Sequence, residues 1–274
     1  MVKGRNPLIA LFLLVFCVFA STGVSIAADA GTATSGLVAQ TQAAPEAAPD
    51  NGDPLEPMNR VILDINEFFM DLLFRPLAKL YVTVLPDFLL DGIHNALNNL
   101  STPVILANDI LQFEPERAWI TTQRFFINST IGIGGMMDVA KDFGIEGHKE
   151  DLGQTFAVWG VPEGFYLVLP LFGPSNPRDA VGLALTQFID PISYWAENTH
   201  REEIIYGRAA LTGVDEFSRV MDDLEKLKET SIDYYAALRS IARQKREAEI
   251  SNGAQKKGAP LPDLNYDFNA EFSQ

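Results

Sequence analysis

The stretch Asp53-Pro54-Leu55-Glu56-Pro57-Met58-Asn59-Arg60 opens with a helix-start signal that the rest of the chain repeats. Asp53 has the side chain of an N-cap. Pro54 suits the first helical position, where its missing N–H would have no partner anyway, and Glu56 stands three residues on as a capping-box partner. The same grammar returns at Thr102-Pro103, Glu114-Pro115, Asn176-Pro177 and Asp190-Pro191, while Pro76 and Pro86 mark further boundaries. Alternating β-branched runs are scarce. The pattern predicts an all-α fold with helices over 53–75, 76–84, 87–100, 103–112, 115–130, 135–143, 151–160, 177–189, 191–212 and 215–250, the last with a break near Ser231. Two stretches escape it. Gly132, Gly134 and Gly135 interrupt an apolar run that ends in Met136 and Met137, and the Gly/Pro-rich segment from Gly160 to Pro177 reads as irregular, with room for short β pairing.

Outward from this domain the composition changes. Lys3 and Arg5 precede the uncharged apolar run 8–20, which is too short to span a bilayer but fits a secretory signal, and small residues around Ala28 offer a cleavage site. The expected parts are thus a signal peptide over 1–28, a flexible Ala/Thr/Gln/Pro tether over 29–52, the helical domain over 53–250 and a mobile polar tail over 251–274. Cys17 follows bulky Phe16, and Val18 and Phe19 continue the run beyond it, so lipidation at Cys17 is disfavoured.

The 274 residues are 47% hydrophobic, ample for a core, and 36 acids against 21 bases give a net charge of −15. Removing the signal peptide, with its two bases and no acid, takes this to −17. An acidic chain without a basic block is a poor nucleic-acid binder. The single Cys excludes an intramolecular disulfide and a Cys-based zinc site, and the three scattered His residues argue against a His-rich metal site. No Gly-x-Ser-x-Gly elbow, His-Glu-x-x-His pair, dinucleotide loop or phosphate loop is present, so neither a catalytic residue, a cofactor nor a metal is expected. His94, His148 and His200 read as surface residues, and Glu150-Asp151 and Asp222-Asp223 as caps or solvated faces. Arg178-Asp179 reads as an ion pair in an opening helical turn, with Arg178 a candidate for a lipid phosphate if the site faces a membrane.

The first two helices are crowded with Phe68, Phe69, Met70, Leu72, Leu73, Phe74, Leu77 and Leu80, more than one buried stripe requires. No run after the signal reaches the roughly 18 apolar residues of a spanning helix. Two readings stay open: a well-buried helical core, or helices lying in a bilayer interface or lining a lipid cavity. Farther on, Phe217, Met221, Leu224, Leu227, Tyr234, Leu238 and Ile241 form one apolar stripe. Arg239, Arg243, Lys245 and Arg246 bring a favourable sign to a helix C-terminus, or a surface for lipid phosphates or an acidic partner.

Taken in order, the block at 53–60, Arg75-Pro76, Asn98-Asn99-Leu100, the block from Arg124 through the three glycines to Asp138, Glu150-Asp151 through Gly160, Tyr166 to Pro170, Gly173-Pro174-Ser175 with Arg178-Asp179, and Tyr235 onward resemble the VacJ/MlaA phospholipid-binding lipoproteins. The resemblance implies a ring-shaped helical protein with an amphiphilic central channel, in the periplasmic leaflet of the Gram-negative outer membrane. Such proteins are expected to remove phospholipids misplaced in the outer leaflet and hand them to a periplasmic carrier, beside a trimeric porin. The missing lipobox departs from the family pattern. Within that frame Gly132, Gly134, Gly135, Met136 and Met137 are the lipid-channel or hinge candidates. A porin-bound scaffold without transport and a periplasmic lipid-modifying enzyme are the competing readings.

Overall fold

The computed structural model describes residues 53–252; the signal segment with Cys17, the 29–52 tether and the tail from residue 253 lie outside them. The fold is all-α, as expected, with one small hairpin. Helix α1 (Glu56–Phe69) runs through a π-helical turn (Met70–Phe74) into α2 (Arg75–Val84). There follow α3 (Asp87–Leu111), α4 (Pro115–Thr130), the single turn α5 (Val139–Asp142) and α6 (Leu152–Val158). Strands β1 (Leu167–Leu169) and β2 (Gly173–Ser175) precede α7 (Pro177–Ile189), α8 (Pro191–Asn198), α9 (Glu202–Thr230) and α10 (Tyr234–Ile250). The strands pair antiparallel, with Leu167 opposite Ser175 and Leu169 opposite Gly173.

Several boundaries differ from those expected. Leu55, not Asp53, is the N-cap of α1, and no side chain caps the helix. The Asp53 carboxylate is buried instead, taking hydrogen bonds from Asn59 Nδ2 at 2.9 Å, from the Tyr235 hydroxyl and from Arg239 at 3.2 Å. A carboxylate removed from water gains more from a cation and a hydroxyl than from one backbone N–H. Glu56 pairs with Arg60 rather than closing a capping box.

Thr102-Pro103 does not start a helix: Pro103 sits inside α3. Its one missing N–H is tolerated because α3 packs on α4, α6, α7, α8 and α9, and tertiary packing outweighs local propensity. Of the 135–143 helix only the turn α5 forms. The 191–212 helix stops at Asn198, where His200 takes a left-handed φ of 56°, and α9 then runs past the expected gap at 212–215. The expected break near Ser231 is present, and Asp233 caps α10 by accepting from the Ala236 N–H.

Helices α6, α7, α8, α9 and α10 pack in a closed circuit, each on the next and α10 back on α6. The α6–α7 step depends on glycine: a Cβ on Gly182 would lie 2.5 Å from the backbone N of Gly153. The interior is unusually polar. Among the described residues seventeen polar or charged side chains are buried against fourteen apolar ones. The apolar core is split between Ile62, Leu63, Tyr166, Val168 and Tyr235 on one side and Ala78, Phe217 and Met221 on the other. The second cluster buries the first half of the stripe expected on 215–250.

Candidate functional site: an amphiphilic cavity inside the helical circuit

A cavity of about 640 Å3 is walled by α3, the hairpin and the residues before it, α7, α9 and α10. Its volume lies in the range of small-molecule sites, roughly 300–1,000 Å3. One wall is apolar, built from Phe165, Tyr166, Leu169, Phe172 and Leu183. The hairpin holds it in place because two asparagines on α1, seven residues apart and so on one helix face, grip its backbone. Asn59 Nδ2 donates to the Tyr166 carbonyl at 3.1 Å and its Oδ1 accepts from the Val168 N–H at 2.9 Å. Asn66 repeats the pattern with the Leu169 carbonyl and the Leu171 N–H. Burial pushes the Tyr166 phenol up to about 12, so it stays protonated.

The other wall is charged. Arg246 bonds both oxygens of Asp151, at 2.7 and 2.8 Å, and Asp179 at 2.8 Å, tying α10 to α6 and α7. Burial alone would raise the Asp151 carboxyl, but the Arg246 bonds outweigh it and hold the group below the ordinary carboxylate range. Asp151 also caps α6 through the Gln154 N–H, as read from the sequence. Arg208 bridges Asp190 at 2.7 Å and Ser101 Oγ at 3.2 Å, joining α9 to the cap of α8 and to α3. Near the opening, Arg243 pairs with Glu163 at 3.1 Å, and Lys245 approaches Glu249 at 3.9 Å.

Arg239, Arg243 and Arg246 on α10 thus serve as tertiary partners, not mainly as a complement to the helix dipole, while Lys245 meets Glu249 within the helix. Arg208 was not legible as a site residue, and Arg246 was legible only as a helix-end cation or a surface for phosphates or an acidic partner, because their carboxylate partners lie 18 to 95 positions away.

The glycine block lies elsewhere. Residues 131–137 fold as turns against α3, where Asn95 Nδ2 donates to the Met136 carbonyl at 3.2 Å and the Met136 side chain packs on Gly92. Gly135 has φ 91°, and a Cβ there would sit 2.5 Å from the Asn99 Cβ. Gly132 is closely packed, and Gly134, at φ 69°, faces open space. Met136 and Met137 are exposed. None of these five residues lines the cavity. Arg178 makes the expected ion pair with Asp179 at 3.0 Å, is buried, and is not a lining residue; its Nη2 has no partner.

Two histidines depart from the surface reading. His94 is partly buried and bonds the buried Asp215 at 2.6 Å. His148 is likewise partly buried and bonds the buried Asp109 at 2.9 Å. Glu150, beside that pair, is buried and not a cap. Burial pushes its carboxyl upward against the pull of Gln112 and Arg117. The donor atoms of Asp109, His148 and Glu150 lie within 4.8 Å of one another, a spacing that could hold a metal ion. Each is already engaged by protein groups: Thr121 at Asp109, Gln112 and Arg117 at Glu150.

The outer surface inverts the usual pattern. On α1, the π turn and α2, Val61, Phe68, Leu72, Leu73, Leu80 and Val84 are all exposed, Leu72 by 62%, while Asn59 and Asn66 on α1 are buried. The core reading of these helices is therefore corrected: most of their large apolar side chains face outward. No helix among the described residues is long and apolar enough to cross a membrane.

Fold and cavity together define a class: an all-α protein, apolar on its outer face, closed around an amphiphilic cavity. The chain belongs to the MlaA lipoprotein family, whose model matches residues 51–249. It is 32% identical over 199 residues to an uncharacterised protein of Rickettsia prowazekii, covering 72% of this chain and 78% of that one. It is 29% identical over 218 residues to the intermembrane phospholipid transport system lipoprotein MlaA of Escherichia coli, covering 77% and 82%. A solved chain from a study of the structural basis for maintenance of bacterial outer membrane lipid asymmetry superposes with a TM-score of 0.62 at 27% identity, covering 72% of this chain and 98% of that one.

Proposed function

We propose that this protein is an outer-membrane component of phospholipid transport. Lodged in the periplasmic leaflet, it draws phospholipids misplaced in the outer leaflet into its cavity and passes them to a periplasmic carrier. The observation that carries the reading is the inverted face of α1 and α2, with asparagines inside and Phe68, Leu72 and Leu80 outside. A large exposed apolar patch on a water-facing protein would be an aggregation hazard, whereas against acyl chains it is the stable arrangement. A phospholipid moving across a leaflet must keep its charged head out of hydrocarbon, and the charged wall of the cavity offers that path while the apolar wall takes a chain.

No covalent step is needed. The turn at Gly134 and Gly135, outside the cavity, is proposed as a hinge, and a trimeric porin as the neighbour that helps hold the protein in place. The apolar helices α1 and α2 are the anchor in this reading.

The test uses cells lacking the chain, in which surface-exposed phospholipid should rise. The native gene should restore asymmetry. A Leu72→Asp/Leu80→Asp variant should fold with unchanged helical circular dichroism, leave the membrane fraction and fail to restore. Normal surface lipid in the deleted cells would refute transport. Lysolipid released from vesicles by the purified protein would point to an enzyme instead.

A further inference from the structure

Resting on that lipid-carrying reading, we infer that the cavity prefers phospholipids whose head carries an ammonium beside the phosphate over purely anionic ones, with Glu163 and Arg243 as the two poles of the headgroup subsite. The argument is one of available charge. Four cations line the cavity, Arg208, Arg243, Lys245 and Arg246, against six acids. Arg246 and Arg208 are mostly buried, at 17% and 18% side-chain exposure, and are committed to Asp179 and Asp190, whose carboxylates are shielded in turn at 14% and 9%. Drawing either onto a lipid phosphate would leave a shielded carboxylate uncompensated, which is strongly unfavourable.

The Glu163–Arg243 pair differs. It joins the loop before the hairpin to α10 at 3.1 Å, and its side chains are 47% and 45% exposed. A half-exposed pair contributes little to folding, so opening it costs little. Between these two charges a zwitterionic head sets its phosphate on Arg243 and its ammonium on Glu163. An anionic head with a neutral alcohol would satisfy Arg243 but leave Glu163 facing the phosphate, within a lining already richer in acid than in base.

The experiment incubates the purified full chain with vesicles holding equal mole fractions of phosphatidylethanolamine and phosphatidylglycerol, and counts the captured lipids by mass spectrometry. The expected excess of phosphatidylethanolamine is about three- to fivefold, the equivalent of roughly 1 kcal/mol. Glu163→Gln should bring the ratio to near one, because phosphatidylethanolamine loses its ammonium partner and phosphatidylglycerol no longer faces a carboxylate, with the melting temperature held. The double swap Glu163→Arg/Arg243→Glu, which keeps both poles in reversed order, should restore the excess. A native ratio of one or below, or a Glu163→Gln ratio equal to the native one, overturns the inference while leaving transport standing. Capture of neither lipid overturns the transport reading itself.

Discussion

Replacing Asn59 by Ala should be among the most damaging single changes on α1, although it removes no apolar contact. Asn59 is fully buried and its amide is used completely: Nδ2 serves Asp53 and the Tyr166 carbonyl, and Oδ1 takes the Val168 N–H. Ala fills none of these roles. Asp53 keeps Tyr235 and Arg239, but the Tyr166 carbonyl and the Val168 N–H lose their partner in a place where Val168 is 1% exposed. Each buried backbone group left unpaired costs roughly 1–3 kcal/mol, so the two together cost about 2–6 kcal/mol. At about 2–4 °C per kcal/mol for a domain of this size, the melting temperature should fall by roughly 4–24 °C.

Thermal unfolding followed by circular dichroism in detergent reads the total, and amide exchange at Val168 reads the site. Asn59→Asp is the sharper variant, because it sets a second carboxylate 2.9 Å from Asp53. At neutral pH it should unfold at least as readily as Asn59→Ala. It should recover part of the loss on acidification, when one of the two carboxyls takes a proton and can donate. Thr83→Ala, which removes an exposed bond to the Lys79 carbonyl, should stay within about 0.5 kcal/mol. The reasoning fails if Asn59→Ala costs less than about 1 kcal/mol with the Val168 amide as protected as before.

Gly135→Val should lower stability by roughly 1–3 kcal/mol, since a β-branched residue fits neither φ 91° nor the space beside Asn99. If the turn is a hinge, lipid transfer should drop further than this loss explains while membrane association survives; full transfer would reduce Gly135 to a tight turn. Arg246→Gln tests the charged wall through pH. Asp151 has its carboxyl held below the ordinary value, so the stability it adds is present above the unfolded pKa and is lost as pH falls through the lower folded one. The variant should be less stable than the native chain at neutral pH, and the gap should shrink on acidification; a gap independent of pH would mean that packing of the Arg246 stem, not its charge, matters.

What the sequence disclosed and what it hid follow one physical division. Signals that act within a turn were legible. Pro177 and Pro191 open helices, Asp151 caps one, and the chain breaks at Ser231. Signals settled by distant partners were not. Asp53 has the form of a cap, yet Tyr235 and Arg239 claim it from across the fold, and Pro103 has the form of a start, yet five packed neighbours carry α3 through it. The charged wall was hidden for the same reason: the value of Arg246 lies in Asp151 and Asp179, which only the closed helical circuit brings near.

The apolar excess on α1 and α2 is the instructive middle case. Its amount was plain in Phe68, Leu72 and Leu80, but composition has no direction, and a buried face and a lipid-facing one use the same residues. The direction was carried by Asn59 and Asn66. Two asparagines seven apart on one helix face, within an otherwise apolar segment, mark where a backbone must be gripped and therefore which side is the inside. In a protein that meets acyl chains the apolar residues lose much of their power to specify the interior, since hydrocarbon outside is as favourable as hydrocarbon inside. The buried amides and ion pairs then take over that task, and under the proposed lipid-facing placement the polar interior and the apolar exterior of this chain are two consequences of one solvent.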